Sequence, residues 1–303
     1  MTIKEIQKAS LFTAIKTPYK ANGAIDLDAY SDLMQLQVEA NVDGVIVGGT
    51  TGEGHLMSWD EHITLIAFSV LHFGDNLIII GNTGSNNTRE AKNATEQGFM
   101  VGMDASLQVN PYYGKASDDG LIRHFSEVLE YGPAMIYNVP SRTAQHISDF
   151  VIDSIAKHSN FLGVKECAGN DRISSLSKRG ISAWSGNDDQ CFEARHKCGA
   201  KGVVSVCSNI FPKSYRKLMD DPKASSLNQI LEPLLSLMYA KPNPIGLNTI
   251  MAMMGLCQPV FRLPYLPLNQ EEREVIYDFL NKLNIEEIPS EINLLYDEEF
   301  LTF

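Results

Sequence analysis

The segment from Phe161 to Gly169, FLGVKECAG, opens as an apolar strand and then places Lys165 where period-two alternation puts its side chain on the face of Gly163. A lysine inside a strand layer is costly unless it is paired or unprotonated. Desolvation disfavours the ammonium and pulls its pKa down. Lowering a lysine from about 10.4 to about 7 takes roughly 4–5 kcal/mol, which burial and a few oriented dipoles can supply. The neutral amine that results is a nucleophile. On this segment alone, a lysine at a strand end that snorkels to solvent accounts for the pattern as well.

Other reactive side chains gather at what read as strand ends. Gly48-Gly49-Thr50-Thr51-Gly52-Glu53-Gly54 fits a plain strand-to-helix loop closing in a cap. It also fits an anion seat, in which glycines admit backbone amides while Thr50 and Thr51 donate hydroxyls to a carboxylate. Taken singly, Tyr112 and Tyr113 read as packing aromatics, Arg142 as a solvated loop cation and Tyr137 as a core phenol with its hydroxyl satisfied. His55 and His62 suit a surface or interface better than a metal site. Together, a lysine, hydroxyls able to relay a proton and an arginine suit an amine attacking a keto acid.

The elements that must position these groups alternate along the chain. Short, mostly apolar runs at 11–18, 44–49, 77–81, 104–110, 134–139, 161–166, 181–185 and 202–206 read as strands. Helical stretches separate them, at 28–41, 58–73, 88–98, 118–131, 148–158, 171–179, 190–198 and 211–219. Ser58 with Glu61, Ser148 and Thr88 look like helix caps. Strict strand–helix alternation implies parallel strands joined by right-handed crossovers, and eight such units close most economically into a (β/α)8 TIM barrel. An open doubly wound sheet is the rival, but no GxGxxG follows the first strand. In a barrel, chemistry sits at the C-terminal strand ends, where all of these residues fall. After Asp221-Pro222 the pattern turns helical, at 225–239, 245–256 and 270–283, and closes in the acidic Tyr296-Asp297-Glu298-Glu299. The expected division is a barrel over 1–224 and a small C-terminal helical domain over 225–303.

The 303 residues are 44% hydrophobic and 20% charged, the composition of an ordinary globular protein with ample length for a core. A net charge of −12 argues against nucleic acid or an anionic membrane as the main partner. Cys167, Cys191, Cys198, Cys207 and Cys257 form no CxxC pair and no metal-type spacing, so they read as free thiols in a reducing compartment. No apolar run approaches a membrane span, and MTIKEIQKAS lacks the apolar stretch of a secretory signal. Cytoplasm is expected for a bacterial source, and plastid stroma for a plant or alga, with no targeting segment in this sequence.

GGTTGEG, NPYYGK, YNVPSRT and GVKECAGN, in this order and at these intervals, resemble the pyruvate-dependent class I aldolase family that includes dihydrodipicolinate synthase and N-acetylneuraminate lyase. The resemblance covers nearly the whole chain. LMSWDEH, GNTGSN, WSGNDDQC and PVFRLPY are most similar to the plant-type synthase. The resemblance implies condensation of pyruvate with L-aspartate 4-semialdehyde to 4-hydroxy-tetrahydrodipicolinate, the committed step of the diaminopimelate route to lysine. Lys165 would form the Schiff base, Tyr137 would be the central acid and base, and Thr50 would link it to Tyr113, which in this family enters the partner subunit's site. Thr51 would hold the pyruvate carboxylate, Arg142 the semialdehyde carboxylate, and Val204 would present its backbone carbonyl. No cofactor or metal is implied. The assembly would be a homo-oligomer, with a dimer as the minimum and a tetramer expected.

The same resemblance implies feedback inhibition by lysine, at an effector site of Trp59, His62, Asn86, Glu90 and Tyr112, with His55 offering at most its backbone. His55 stands where the plant pattern leads one to expect glutamine. The alternative for Trp59, His62 and Glu90 is an ordinary helix face in a subunit contact, and the tryptophan, the plant-type choice at its place, favours the effector site. Alternatives for the whole chain are another pyruvate aldolase, such as N-acetylneuraminate lyase or a 4-hydroxy-2-oxoglutarate aldolase, and a barrel that binds a keto acid without turnover. TTGE and Arg142 in SRT favour the synthase.

Overall fold

Strands apolar on both faces need cover on both, and parallel pairing inside a ring of helices supplies it. In the computed structural model, which describes Met1–Phe303, eight parallel strands close in sequence order into a barrel. They are β1 (Leu11–Ala14), β2 (Gly44–Val47), β3 (Ile78–Asn82), β4 (Ala105–Val109), β5 (Ala134–Asn138), β6 (Phe161–Glu166), β7 (Ala183–Ser185) and β8 (Gly202–Ser205). β8 pairs back onto β1 and shuts the ring. The expected (β/α)8 barrel is the fold, and every expected strand is present. The first is shorter than read, because after Ala14 the backbone leaves the sheet: Lys16 N–H donates to Asn209 Oδ1 at 2.9 Å.

Alternation sorts the side chains. Phe12, Ile46, Ile80, Leu107, Met135, Leu162, Trp184 and Val204 fill the barrel as one buried cluster. Val45, Val47, Ile79 and Val203 face the helices on one side, and Ala134, Ile136 and Val164 do so on the other. β6 departs from strict alternation. The pairing with β5 shifts between Ala134 and Met135, so that Leu162 has no opposite number and Met135 sits across from Gly163. Gly163 takes a φ of 146°, and a Cβ there would meet the Ser182 carbonyl at 2.4 Å. This bulge turns Leu162 inward and leaves Lys165 inward as well.

The helix starts follow local chemistry. Ser58 and Glu61 form a reciprocal capping box before Trp59–Phe73, and Ser148 caps Asp149–Ile155. Before Thr88–Met100 the cap is Asn87 and not Thr88. Thr88 Oγ1 is occupied instead with His124 Nδ1 at 2.8 Å.

Beyond Ser225 the helices Ser225–Met238, Ile245–Met253 and Gln270–Leu280 share one apolar core with the helical layer of the barrel, through Leu231, Leu235, Leu247 and Ile276. The acidic tail is tied back to the body of the protein. It makes a short turn, buried Arg273 binds Asp297, and Leu301–Thr302 pairs in parallel with Val260–Phe261. Two-residue strands carry no periodicity, so this closure left no trace in the hydrophobic pattern. No helix is long and apolar enough to cross a membrane.

Candidate active site

β5 and β6 deliver the reactive pair. Tyr137 and Lys165 are direct cross-strand partners, both turned into the barrel near its C-terminal mouth. Lys165 is only 7% exposed, and its Nζ lies 4.3 Å from the centre of the Tyr137 ring. Burial lowers the Lys165 pKa, and the Arg142 guanidinium works in the same direction against Cys167 and Asp188. Burial holds the Tyr137 phenol well above its usual range, so it stays a proton donor, with Cys167 and Thr50 as its side-chain neighbours. The Cys167 thiol is itself pushed up to about 11 by burial. The face of a phenol ring favours a bound cation, but no carboxylate reaches the amine closely enough to offset its desolvation. A neutral amine beside a protonated hydroxyl is the arrangement an attack on a carbonyl needs.

A cavity of about 470 Å³ opens over this pair, and Thr50, Thr51, Arg142 and Cys167 line it. Thr51 is buried, and its Oγ1 accepts from Asn243 Nδ2 at 3.0 Å. The Asn243 carbonyl accepts in turn from Arg142 Nη2 at 3.1 Å. Asn243, in the loop after Ser225–Met238, therefore ties the two proposed carboxylate holders together. Asp188 also lines the cavity. One of its oxygens accepts from Val206 N–H at 3.0 Å, Cys207 N–H at 2.9 Å and Tyr239 O–H at 2.7 Å. Val204 lies beneath the cavity in the barrel filling, and the side chain at its edge is that of Val206. Tyr113 is not brought to Lys165. It is 96% exposed on a turn with a φ of 70°.

The glycines of GGTTGEG serve packing. A Cβ at Gly52 would meet the Ile15 carbonyl at 2.7 Å, and one at Gly54 would meet the Gly48 carbonyl at 2.0 Å, so the loop can fold on itself only with hydrogen at both. Glu53 anchors the loop from below. Its Oε1 accepts from Lys16 Nζ at 2.7 Å and from Asn248 Nδ2 at 2.6 Å, all three residues being buried.

A second cavity, of about 800 Å³, shares Thr50, Tyr137, Val139 and Arg142 with the first. His55, Trp59, His62, Glu90 and Tyr112 line it too. Asn86 stands outside that lining, and its Nδ2 donates to the Tyr112 carbonyl at 3.2 Å. The Trp59 ring meets that of His62 edge-on at 5.5 Å and donates its Nε1–H to Gln97. The His55 ring is engaged with Tyr265, Nε2 to hydroxyl at 2.9 Å.

His62 and, away from both cavities, His124 are held neutral by burial, each pushed down to about 4. An unfolded histidine titrates near 6.5, so unfolding takes up protons between about pH 6.5 and 4, and stability falls as pH drops through that window. Replacing His124 with glutamine is expected to shrink the difference in unfolding free energy between pH 7 and pH 4.5 by on the order of 2 kcal/mol. Urea melts of both proteins at the two pH values would check it.

A sequence model of the Dihydrodipicolinate synthetase family matches residues 7–283. The chain belongs to that family. Among dihydrodipicolinate synthetase relatives, it is 52% identical over 298 residues to the chloroplastic 4-hydroxy-tetrahydrodipicolinate synthase 1 of Triticum aestivum, covering 98% of this chain and 77% of that protein. The 4-hydroxy-tetrahydrodipicolinate synthase structure from Methylacidiphilum fumariolicum SolV superposes with a TM-score of 0.86 at 35% identity, covering 91% of this chain and 95% of that one. The crystal structure of DHDPS from Cyanidioschyzon merolae with lysine bound gives a TM-score of 0.85 at 26% identity, over 91% and 98% of the two chains.

Sequence reading missed Asn243, Asp188, Glu53 and Cys167. Asn243 announced itself only as an asparagine between Pro242 and Pro244, and Asp188 only as the polar run GNDD closing β7.

Proposed function

We propose that this chain condenses pyruvate with L-aspartate 4-semialdehyde, giving 4-hydroxy-tetrahydrodipicolinate and water, through an imine on Lys165. The observation that carries the reading is the buried amine over the Tyr137 ring, facing an open cavity. Lys165 Nζ adds to the ketone carbon of pyruvate, and Tyr137 protonates the departing hydroxyl, which leaves as water. Loss of a methyl proton turns the imine into an enamine, whose carbon attacks the semialdehyde aldehyde. The amino group of that substrate then displaces Lys165 from the imine carbon and closes the ring. Thr51 takes the pyruvate carboxylate, Arg142 that of the semialdehyde, and the Val204 carbonyl faces the reacting end. Residues 1–224 form the catalytic barrel, and the C-terminal unit, 225–303, roofs the cavity with Tyr239, Lys241 and Asn243.

In this reading Thr50 passes protons from Tyr137 to Tyr113 of the partner subunit, and the working assembly is a dimer or a tetramer of such pairs. The exposure of Tyr113 supports it. Five unpaired cysteines and a chloroplastic relative fit a reducing compartment, plastid stroma for a plant or algal source and cytoplasm for a bacterial one. Borohydride reduction in the presence of pyruvate is expected to fix the substrate to Lys165, and a coupled assay with the semialdehyde is expected to show turnover. Trapping at another residue, or none, would overturn the imine. Trapping without turnover would overturn the second substrate.

We further propose the second cavity as the seat of a lysine inhibitor, with the Glu90 carboxylate taking an ammonium and Trp59, His62, Asn86, Tyr112 and the His55 backbone enclosing the rest. A hydrogen bond to a charged group contributes roughly 1.5–3 kcal/mol. Glu90→Gln is therefore expected to raise the lysine concentration that halves activity by about tenfold or more. An unchanged half-inhibiting concentration would remove Glu90 from the site.

A further inference from the structure

Directly behind the reactive pair, on the opposite face of the same two strands, lies a second buried pair. Asn138 and Glu166 are the next cross-strand partners after Tyr137 and Lys165. Alternation turns them out of the barrel, toward the helices. Both are buried, and Asn138 Nδ2 donates to Glu166 Oε1 at 2.7 Å. The same oxygen accepts from Ala168 N–H at 2.8 Å, while Asn138 Oδ1 accepts from Ile147 N–H at 3.1 Å. One hydrogen-bonded unit therefore grips both strand ends and the two loops that leave them.

The unit extends outward. Glu166 Oε2 and Arg172 Nε stand 3.6 Å apart, each without a hydrogen-bond partner. Arg172 is steadied from the other side by Asp149 and by the Ile147 carbonyl, the latter at 3.0 Å. His146 Nδ1 lies 3.1 Å from Asn138 Nδ2. Burial pushes the Glu166 carboxyl up to about 7, so the group is expensive to keep where it is. A well-packed apolar residue would serve stability as well or better. What the polar pair supplies is registration: a slip of one residue between these strands would throw Lys165 out of the barrel, and it would also strand a buried carboxylate and amide.

We infer that Asn138 and Glu166 are positioning residues for the Lys165 imine chemistry, their buried hydrogen bond holding the amine over the Tyr137 ring from behind. The inference rests on the reading of Lys165 as the nucleophile. Neither side chain touches substrate, so the effect falls on the rate of the covalent steps and not on pyruvate binding. Glu166→Leu is expected to lower kcat about thirtyfold or more while the pyruvate KM moves less than about threefold, and to slow borohydride trapping of pyruvate in parallel. Glu166→Gln keeps an oxygen for Asn138 and Ala168 and is expected to stay within about threefold of the unmodified enzyme. Asn138→Ala is expected to lower kcat as well, and the double variant Asn138→Ala with Glu166→Leu to fall by less than the product of the two single losses, because both remove the Asn138–Glu166 bond.

Four results would overturn the inference. They are an unchanged kcat in folded Glu166→Leu, a loss confined to KM, a Glu166→Gln enzyme as slow as the leucine variant, or losses that multiply in the double variant. If Glu166→Leu does not fold, as judged by circular dichroism, Asn138→Ala and Glu166→Gln decide the matter by the same kcat and trapping readouts. Absence of trapping in the unmodified protein would instead sink the imine reading itself.

Discussion

Lys165→Arg is expected to abolish trapping of pyruvate and to lower turnover by on the order of 10⁴-fold or more. Arginine has a similar reach and always carries a positive charge, and it could keep the contact with the Tyr137 ring. What it cannot do is lose its proton, since its pKa stays above about 12 in proteins. The substitution therefore separates two accounts of a buried cation over an aromatic ring. If position 165 works as a charge that orients a keto acid, arginine retains a good part of the activity. If it works as a nucleophile, arginine retains none. Mass spectrometry after borohydride treatment, with and without pyruvate, reports the covalent step directly, and the coupled assay reports turnover. An arginine variant within about tenfold of the unmodified enzyme would end the covalent reading.

Tyr137→Phe leaves the ring under the amine and deletes only the hydroxyl. General acid and base groups contribute about 10²–10⁴-fold, and kcat is expected to fall by that amount. The buried ring makes little demand on its hydroxyl for stability, since its neighbours Thr50 and Cys167 also line the open cavity. The melting temperature should move by only a few degrees, on the scale of one hydrogen bond. Trapping of pyruvate should slow, because loss of the carbinolamine hydroxyl needs a proton donor, but it should still go to Lys165. A phenylalanine enzyme of normal kcat would place the acid elsewhere, with Cys167 the nearest candidate.

The barrel was legible because its signal is redundant. Eight strands and eight helices each carry their own periodicity, and alternation alone then dictates parallel pairing. Lys165 was legible for the opposite reason, as a single violation of an apolar run. The residues that tie the proposed carboxylate holders together were not. Asn243 reaches Thr51 and Arg142 from a loop separated from them by about a hundred positions or more, and nothing local marks an asparagine for that task. Glu53 carried no role in the sequence reading of its loop, yet it is the loop's anchor to Lys16 and to Asn248, and the second contact exists only once the C-terminal helices are packed. The inward turn of Leu162 could not be read either, because a bulge breaks the alternation from which faces are inferred. Tyr113 shows a different limit. Its place on an exposed turn is clear in one chain, and the relay role proposed for it calls for a second.

The wall made by Thr50, Tyr137, Val139 and Arg142 has a bearing on how such an enzyme can change over generations. With the second cavity as the proposed lysine seat, a replacement there alters both chambers at once, and turnover and inhibition are expected to change together. On that proposal, insensitivity to the end product is expected to arise on the far bank, around Trp59 and Glu90, where a lineage can lose its brake and keep its engine.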